Sequence, residues 1–315
     1  MNKKIVVLGG GNGMSTLLRG LKQFPVDLTA IVSVCDDGGS TGKLRKEFNT
    51  PAVGDIRRVL ISLSETEPLF EKMFNYRFRA NGYIDGDVVG NFLLQAMADI
   101  TGSISDGIEA LGKVLNLKGK VLPLTENGDI TLVAKMTDGE VVEGEHFITK
   151  AGKKIEKVYY KENPKITPEA IESIEEADLI LLSMGSLYTS IIPNLISPEI
   201  KEALKKSKAK IMYICNIVTQ PGETDDFKVS DHIKVLNEYL GDRKVDVVFV
   251  NSEHIDVDIA EKYQTLEQKD PVIFDKEEVE KLGTQIISVN SLKIEDDKLR
   301  HDVVKVALNI FTYLL

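Results

Sequence analysis

Cysteine and histidine are scarce in this chain, and no apolar run is long enough to span a bilayer. The two cysteines, Cys35 and Cys215, lie in or beside apolar runs. They read as reduced core residues of a cytosolic protein, not as a disulfide framework. No stretch reaches about 18 consecutive apolar residues, so no membrane span is expected. The first residues read as a strand, so no leader or cleavage site is expected, and a cytoplasmic location is expected. The four histidines, His146, His232, His254 and His301, have no ligand spacing, which argues against zinc. The Gly-x-Ser-x-Gly elbow is missing, and with it the case for a serine hydrolase. An excess of basic residues is missing too: 39 Lys and Arg stand against 49 Asp and Glu, for a net charge of −10. A diffusely acidic surface disfavours nucleic acid as a partner.

What is present is an alternation of strand and helix. The 315 residues are 43% hydrophobic and 28% charged, ordinary for a globular protein. Ile5–Leu8 reads as a strand and Ser15–Gln23 as a helix, followed by a strand at Leu28–Val34. Helical patterns follow at 54–64, 87–100 and 105–115. Later strands are expected at 178–183, 210–216 and 245–251, with helices near 197–206, 230–240 and 256–263. Short late strands are expected at 271–274 and 285–289, and a closing helix over 299–315. Between the two halves, Asn127-Gly128 and Asp138-Gly139 sit among alternating runs, a hairpin signal. The expected fold is therefore α/β, one Rossmann-like domain over 1–315 with a mostly parallel, doubly wound sheet. A β-hairpin-rich insertion is expected at about 119–161, with its charges (Glu145 among them) on a solvated face.

In such sheets ligands bind beyond the carboxyl ends of the strands. The first strand ends in Gly9-Gly10-Gly11-Asn12-Gly13 and then opens a helix. Glycines without side chains before a helix N-terminus make an anion cradle of backbone N–H groups. Gly10, Gly11, Asn12 and Gly13 are its candidate contacts. The dinucleotide pattern G-x-G-x-x-G lacks its third small residue in either register, and no Lys-Ser or Lys-Thr pair completes a P-loop. A nicotinamide-binding oxidoreductase is accordingly the weakest reading.

The second strand ends in Cys35-Asp36-Asp37-Gly38-Gly39-Ser40-Thr41-Gly42-Lys43-Leu44-Arg45. Asp36 falls about where a ribose-binding acid would lie, and Asp37 is placed to hold a divalent cation. Gly39, Ser40 and Thr41 are candidate phosphate contacts. The alternative is a solvent loop whose aspartates cap the following helix. Asp55 stands where a helix N-cap is wanted, with Arg57 and Arg58 in the first turn, where a cation suits an anion better than the helix. Asn91 opens another helix, either as a base or sugar contact or as an exposed polar residue. The fourth strand ends in Gly185, Ser186 and Thr189, and the fifth in Asn216 and Gln220, all candidate ligand contacts. Tyr263 is placed to stack on a base and Arg300 to pair with phosphate, or else both are surface and capping residues.

These blocks, Gly9–Gly13, Cys35–Arg45, Pro51–Arg58, Gly185–Asn194, Asn216–Asp226 and Leu299–Asp302, occur in order along nearly the whole chain. Together they resemble the gluconeogenesis factor family, the YvcK branch of the CofD-like proteins. The resemblance implies a CofD-like fold and a part in cell morphogenesis on gluconeogenic carbon sources. It implies UDP-sugars such as UDP-N-acetylglucosamine as ligands, with Tyr263 and Arg300 among the nucleotide-sugar contacts. The related branch consists of Mg-dependent 2-phospho-L-lactate transferases of deazaflavin-cofactor synthesis. Asp37 and Asp55 are similar to the metal-supporting aspartates of that branch, and are the candidate metal and catalytic residues under this alternative. The sequence is also compatible with a homo-oligomer.

Overall fold

The computed structural model describes residues 2–253, 255–267, 269–295 and 298–315; His254 lies outside them. In chain order, β1 (Lys3–Gly9), α1 (Gly11–Leu21), β2 (Val26–Val32), α2 (Gly39–Phe48) and α3 (Gly54–Leu63) are followed by α4 (Pro68–Phe74), α5 (Val89–Thr101), α6 (Ile104–Val114) and β3 (Lys120–Pro123). The middle contains β4 (Leu132–Met136), β5 (Val141–Glu143), α7 (Glu145–Ala151) and β6 (Ile155–Tyr160). Next come α8 (Pro168–Glu175), β7 (Leu179–Leu182), a π turn (Leu187–Ile191), a 3-10 turn (Ile192–Asn194), α9 (Pro198–Lys206), β8 (Lys210–Ile214) and α10 (Val229–Tyr239). The chain closes with β9 (Val247–Asn251), α11 (Val257–Glu267), α12 (Lys276–Lys281), β10 (Gln285–Val289), β11 (Leu292–Glu295), β12 (Lys298–His301) and α13 (Val303–Leu314).

Seven strands make one sheet in the order β10-β9-β8-β7-β1-β2-β3, every pair parallel. Ile5–Leu8 of β1 and all of β7 are buried, as expected for parallel strands covered by helices on both faces. The order reverses between β1 and β7, so the loops that follow these two strands diverge and leave a crevice. That junction is held very tightly. A Cβ on Gly13 would fall 1.3 Å from the Met184 carbonyl oxygen, so only glycine lets α1 start against the loop after β7.

The α/β class and doubly wound sheet match expectation, while several boundaries move. α1 begins inside the glycine turn, at Gly11. The Asp138-Gly139 pair does turn β4 into β5, and an antiparallel sheet forms in the order β5-β4-β6. Asn127-Gly128 makes no hairpin, because β3 before it belongs to the parallel sheet. Its polar groups instead serve neighbours: Asn127 Oδ1 accepts from the Lys165 N–H, and the Gly128 carbonyl accepts from Arg45. The antiparallel excursion therefore starts at β4 rather than at residue 119. The helix α7 inside it has no counterpart in the alternating pattern. Residues 271–274 form isolated bridges rather than a strand. Leu299–His301 belong to a strand, not to the closing helix: Leu299 and His301 are buried while Lys298 and Arg300 are exposed, a period of two. Asp302 caps α13 instead. Among the described residues no helix is long and apolar enough to cross a membrane.

Gly13→Ala is expected to destabilise the chain by more than about 2 kcal/mol, because the new methyl group has only backbone to displace. Gly139→Ala, where a Cβ meets open space but φ is +88, is expected to cost only about 1–2 kcal/mol. Urea unfolding of the two variants checks the order; equal costs would mean that the β1–β7 junction yields easily.

Candidate functional site

A cavity of about 560 Å³ opens beyond the carboxyl ends of β1, β7 and β8, a volume suited to a nucleotide-sized ligand. Its base is the glycine turn, with Gly10, Gly11, Asn12 and Gly13 all lining it. Gly11 adopts φ +65, a left-handed conformation that glycine takes without Cβ strain. Its N–H donates to Asp55 Oδ2 at 2.6 Å, while Asp55 Oδ1 accepts from Arg58. Asp55 is thus not the N-cap of α3, whose N-cap is Val53. It sits in the first turn of α3 and places its charge at the start of α1, where a negative group is favoured. An anion seat is present, and the protein's own carboxylate reaches into it.

The acidic loop after β2 forms a second wall. Asp36 lines the cavity, and its Oδ1 accepts the Gly38 N–H at 2.9 Å. Asp37 faces the insertion: its Oδ1 accepts the His146 N–H at 2.9 Å, in the first turn of α7. This contact brings Glu145 over the loop, and Asp36, Asp37 and Glu145 each offer an oxygen within 4.8 Å of the others. Among the described residues this is the one group of three or more acidic, His or Cys side chains so placed. Asp55 is not part of it. Burial pushes the Glu145 carboxyl up to about 8, with the charges of Asp36, Asp55, Asp37 and Glu223 adding to the effect. Burial also raises Asp36, helped by Asp55 and Asp37 and opposed by the Gly38 N–H. Three oxygen donors that repel one another suit a hard divalent cation. Arg45 fixes the loop from behind, donating to the carbonyls of Cys35, Asp36, Gly128 and Ile130. It is therefore not free to meet a phosphate.

The third wall follows β7 and β8. Gly185, Ser186, Thr189, Asn216 and Gln220 all line the cavity. Asn216 ties the two loops together, donating to the Gly185 carbonyl at 2.9 Å. Ser186 caps the π turn by accepting the Thr189 N–H, and its hydroxyl donates to the buried Glu223. A π turn at a cavity wall commonly marks a functional position. Cations enter from Arg58, Lys269 and Arg300. Arg300 is held on β12 by its neighbour His301. The His301 Nε2–H donates to the Cys215 carbonyl at 2.9 Å, leaving Nδ1 to accept from the Ser291 hydroxyl at 3.1 Å. Burial holds this imidazole down to about 4 and hence neutral.

Several expected contacts are placed elsewhere. Arg57 is buried and donates to Asn91 and Asn75, and Asn91 is buried with it, away from the cavity lining. Ser40 accepts from the Val88 N–H and from Asn91 at 3.3 Å, and Thr41 is buried beneath Gly54. Gly39 begins α2 with φ +48 and lines no wall. Tyr263 is buried, and its hydroxyl accepts the Leu299 N–H, which anchors β12. Helical periodicity marks which residues share a face but not which of two buried neighbours that face meets. In the other direction, Glu145, Thr149, Glu223 and Lys269 line the cavity without having been singled out. The insertion looked like a solvated charged face, and only its docking onto Asp37 turns Glu145 inward.

An all-parallel sheet with its crevice at the strand-order reversal defines a Rossmann-like α/β protein. The family model for 2-phospho-L-lactate transferase CofD matches residues 5–292. A gluconeogenesis factor of Bacillus subtilis is 48% identical over 305 residues, covering 96% of both chains. One from Halalkalibacterium halodurans is 48% identical over 97% of this chain and 94% of its own. A putative gluconeogenesis factor of Thermotoga maritima is 44% identical over 96% and 97%. A crystal structure of a Bacillus halodurans protein superposes with a TM-score of 0.95 at 46% identity, covering 99% of this chain and all of that one. A second, described as a member of the UPF0052 family, gives 0.94 at 47% identity, with 98% and 99% covered. The chain belongs to the CofD family, alongside the gluconeogenesis factors.

Glu145 carries a pH prediction. Its carboxyl titrates near 4.5 in the unfolded chain and near 8 when folded. Across that window the unfolded state gives up its proton first, so stability falls as pH rises. Glu145→Gln removes the burial cost and is expected to stabilise the chain at about pH 8 by at least about 1 kcal/mol. It should also flatten the decline in melting temperature from about pH 5 to 8. Parallel profiles for wild type and variant would place Glu145 in water.

Proposed function

We propose that the cavity binds a nucleotide sugar of the UDP-N-acetylglucosamine type. In this reading the chain acts as a cytoplasmic regulatory binding protein, needed for cell morphogenesis on gluconeogenic carbon sources. The observation that carries it is the meeting of three loops at the β1–β7 junction. There a glycine turn, a hydroxyl- and amide-bearing wall and the cations Arg300 and Lys269 line one cavity. Phosphates suit the cations and the turn, and neutral hydrogen-bonding groups suit a sugar or base. The kinship with gluconeogenesis factors supports the physiological half of the proposal.

The cluster of Asp36, Asp37 and Glu145 favours a second reading, an Mg-dependent 2-phospho-L-lactate transferase of the CofD type. Its oxygen-only donor set suits Mg²⁺, and Asp37 would be a metal ligand; Asp55, engaged by Gly11 and Arg58, would support the cluster. Such an ion supplies charge for a bound phosphate. Asp36 and Glu145 would hold it, and the Gly11 turn would orient the phosphate.

A ligand that binds only the native state raises the melting temperature by mass action. UDP-N-acetylglucosamine is expected to raise it and NAD to leave it unchanged, read by differential scanning fluorimetry with and without Mg²⁺. Stabilisation by NAD alone would overturn the nucleotide-sugar reading. Mg-dependent product formation from a guanylylated phospholactate and a deazaflavin acceptor, lost in Asp37→Asn, would establish the transferase instead.

A further inference from the structure

Glu223 is a buried carboxylate that accepts from the turn after β7. It is 4% exposed, yet it lines the cavity. Among the described residues, hydrogen bonds and not a cation hold it in place. The Ser186 hydroxyl donates to Glu223 Oε2, and the Thr189 hydroxyl donates to Ser186 Oγ at 2.6 Å. Ser186 Oγ also accepts the Thr189 N–H at 3.1 Å. Both hydroxyl protons are therefore committed towards the carboxylate. What this wall offers the cavity is acceptor capacity, from Glu223 and from the Thr189 oxygen.

A second observation lies on the same wall. Among the described residues Gln220 Oε1 is buried without a hydrogen-bond partner, although the rest of its turn is ordered: the Gln220 N–H donates to Thr224 Oγ1, and its carbonyl accepts from the Glu223 N–H. A buried polar atom left alone costs free energy comparable to a lost hydrogen bond. A ligand hydroxyl, donor and acceptor at once, satisfies a carboxamide in either orientation. A phosphate or carboxylate carries acceptors only and is repelled by Glu223, so anionic groups belong with Arg300 and Lys269.

We propose that Glu223, oriented by Ser186 and Thr189 and flanked by Gln220, is the specificity-determining residue that reads the hydroxyl groups of the ligand's sugar. The inference rests on the nucleotide-sugar reading and adds a division of labour to it. Cations hold the diphosphate, and an acceptor wall distinguishes a sugar-bearing nucleotide from the bare one. Burial pushes the Glu223 carboxyl up, and the Ser186 hydroxyl opposes the shift, so the hydroxyl chain supports the ionised, accepting form.

Calorimetric titration of the whole chain with UDP and with UDP-N-acetylglucosamine tests this. Wild type is expected to prefer the sugar nucleotide at least tenfold, about 1.4 kcal/mol. In Glu223→Gln the preference should fall to threefold or less. In Arg300→Ala both ligands should weaken together, about tenfold or more, with the preference kept. Gln220→Ala, on an ordered surface turn, should lower the preference by a smaller factor and stands in should Glu223→Gln not fold. A preference unchanged in Glu223→Gln, or in Gln220→Ala if that variant stands in, would overturn the inference, since a merely structural residue weakens both ligands alike. Equal wild-type affinities would do the same while leaving the nucleotide reading intact. Binding of neither ligand by wild type would overturn that reading and this inference with it.

Discussion

Everything at the candidate site depends on how closely α1 approaches the loop after β7. Gly13 lies against the Met184 carbonyl with no room for a methyl group. The contact occurs where the order of the parallel strands reverses. It brings the turn after β1 and the turn after β7 to one edge, so that Gly10–Gly13 and Gly185–Thr189 share a cavity. A larger residue would separate these loops, and the walls would no longer face one ligand. The junction is thus a packing constraint first and a binding feature by consequence.

The electrostatics of the cavity follow from that geometry. A helix N-terminus attracts negative charge, and Asp55 supplies some from within the fold while Arg58 balances it. Asp36, Glu145 and Glu223 add further carboxylates around the same space. Burial pushes the carboxyls of Asp36, Glu145 and Glu223 up, and the neighbouring carboxylates add to the effect at Asp36 and Glu145. A polyanionic ligand entering here has two ways to avoid repulsion. It places its charges beside Arg300 and Lys269, or it arrives with a divalent cation that the acidic loop accepts.

The α/β class, the glycine turn and the two polar loops after β7 and β8 were legible because they are local. A strand, a turn and a helix lie within twenty residues, and strand-end position alone predicts that their polar groups converge. What was not legible is non-local. Glu145 sits on a seven-residue helix inside a β-rich stretch, too short for periodicity to reveal. Its inward direction depends on Asp37 accepting from His146, 109 positions away in sequence. Arg57, Asn91 and Tyr263 turn inward for the converse reason. Each is a polar residue at a motif, but each finds its partner inside the protein: Asn75 and Asn91 for Arg57, Ser40 for Asn91, and the Leu299 N–H for Tyr263. Local pattern gives the position of a polar group, and only the fold decides whether its hydrogen bonds are already taken.

That distinction separates scaffold from contact surface within the motifs themselves. In the block from Cys35 to Arg45, Arg45, Ser40 and Thr41 turn inward and fix the loop, while Asp36 faces the cavity. In the block from Leu299 to Asp302, all of Leu299, Arg300 and His301 border the cavity, but Leu299 and His301 are buried and anchor the strand while Arg300 is exposed. Each of these blocks thus couples residues engaged inside the protein with one whose side chain faces the cavity. The inward residues hold the outward one on a rigid element, a requirement for any site that must recognise a defined geometry. These two blocks are therefore better understood as small supports that hold an outward side chain. Their spacing in sequence is set by packing against the sheet as much as by the chemistry they display.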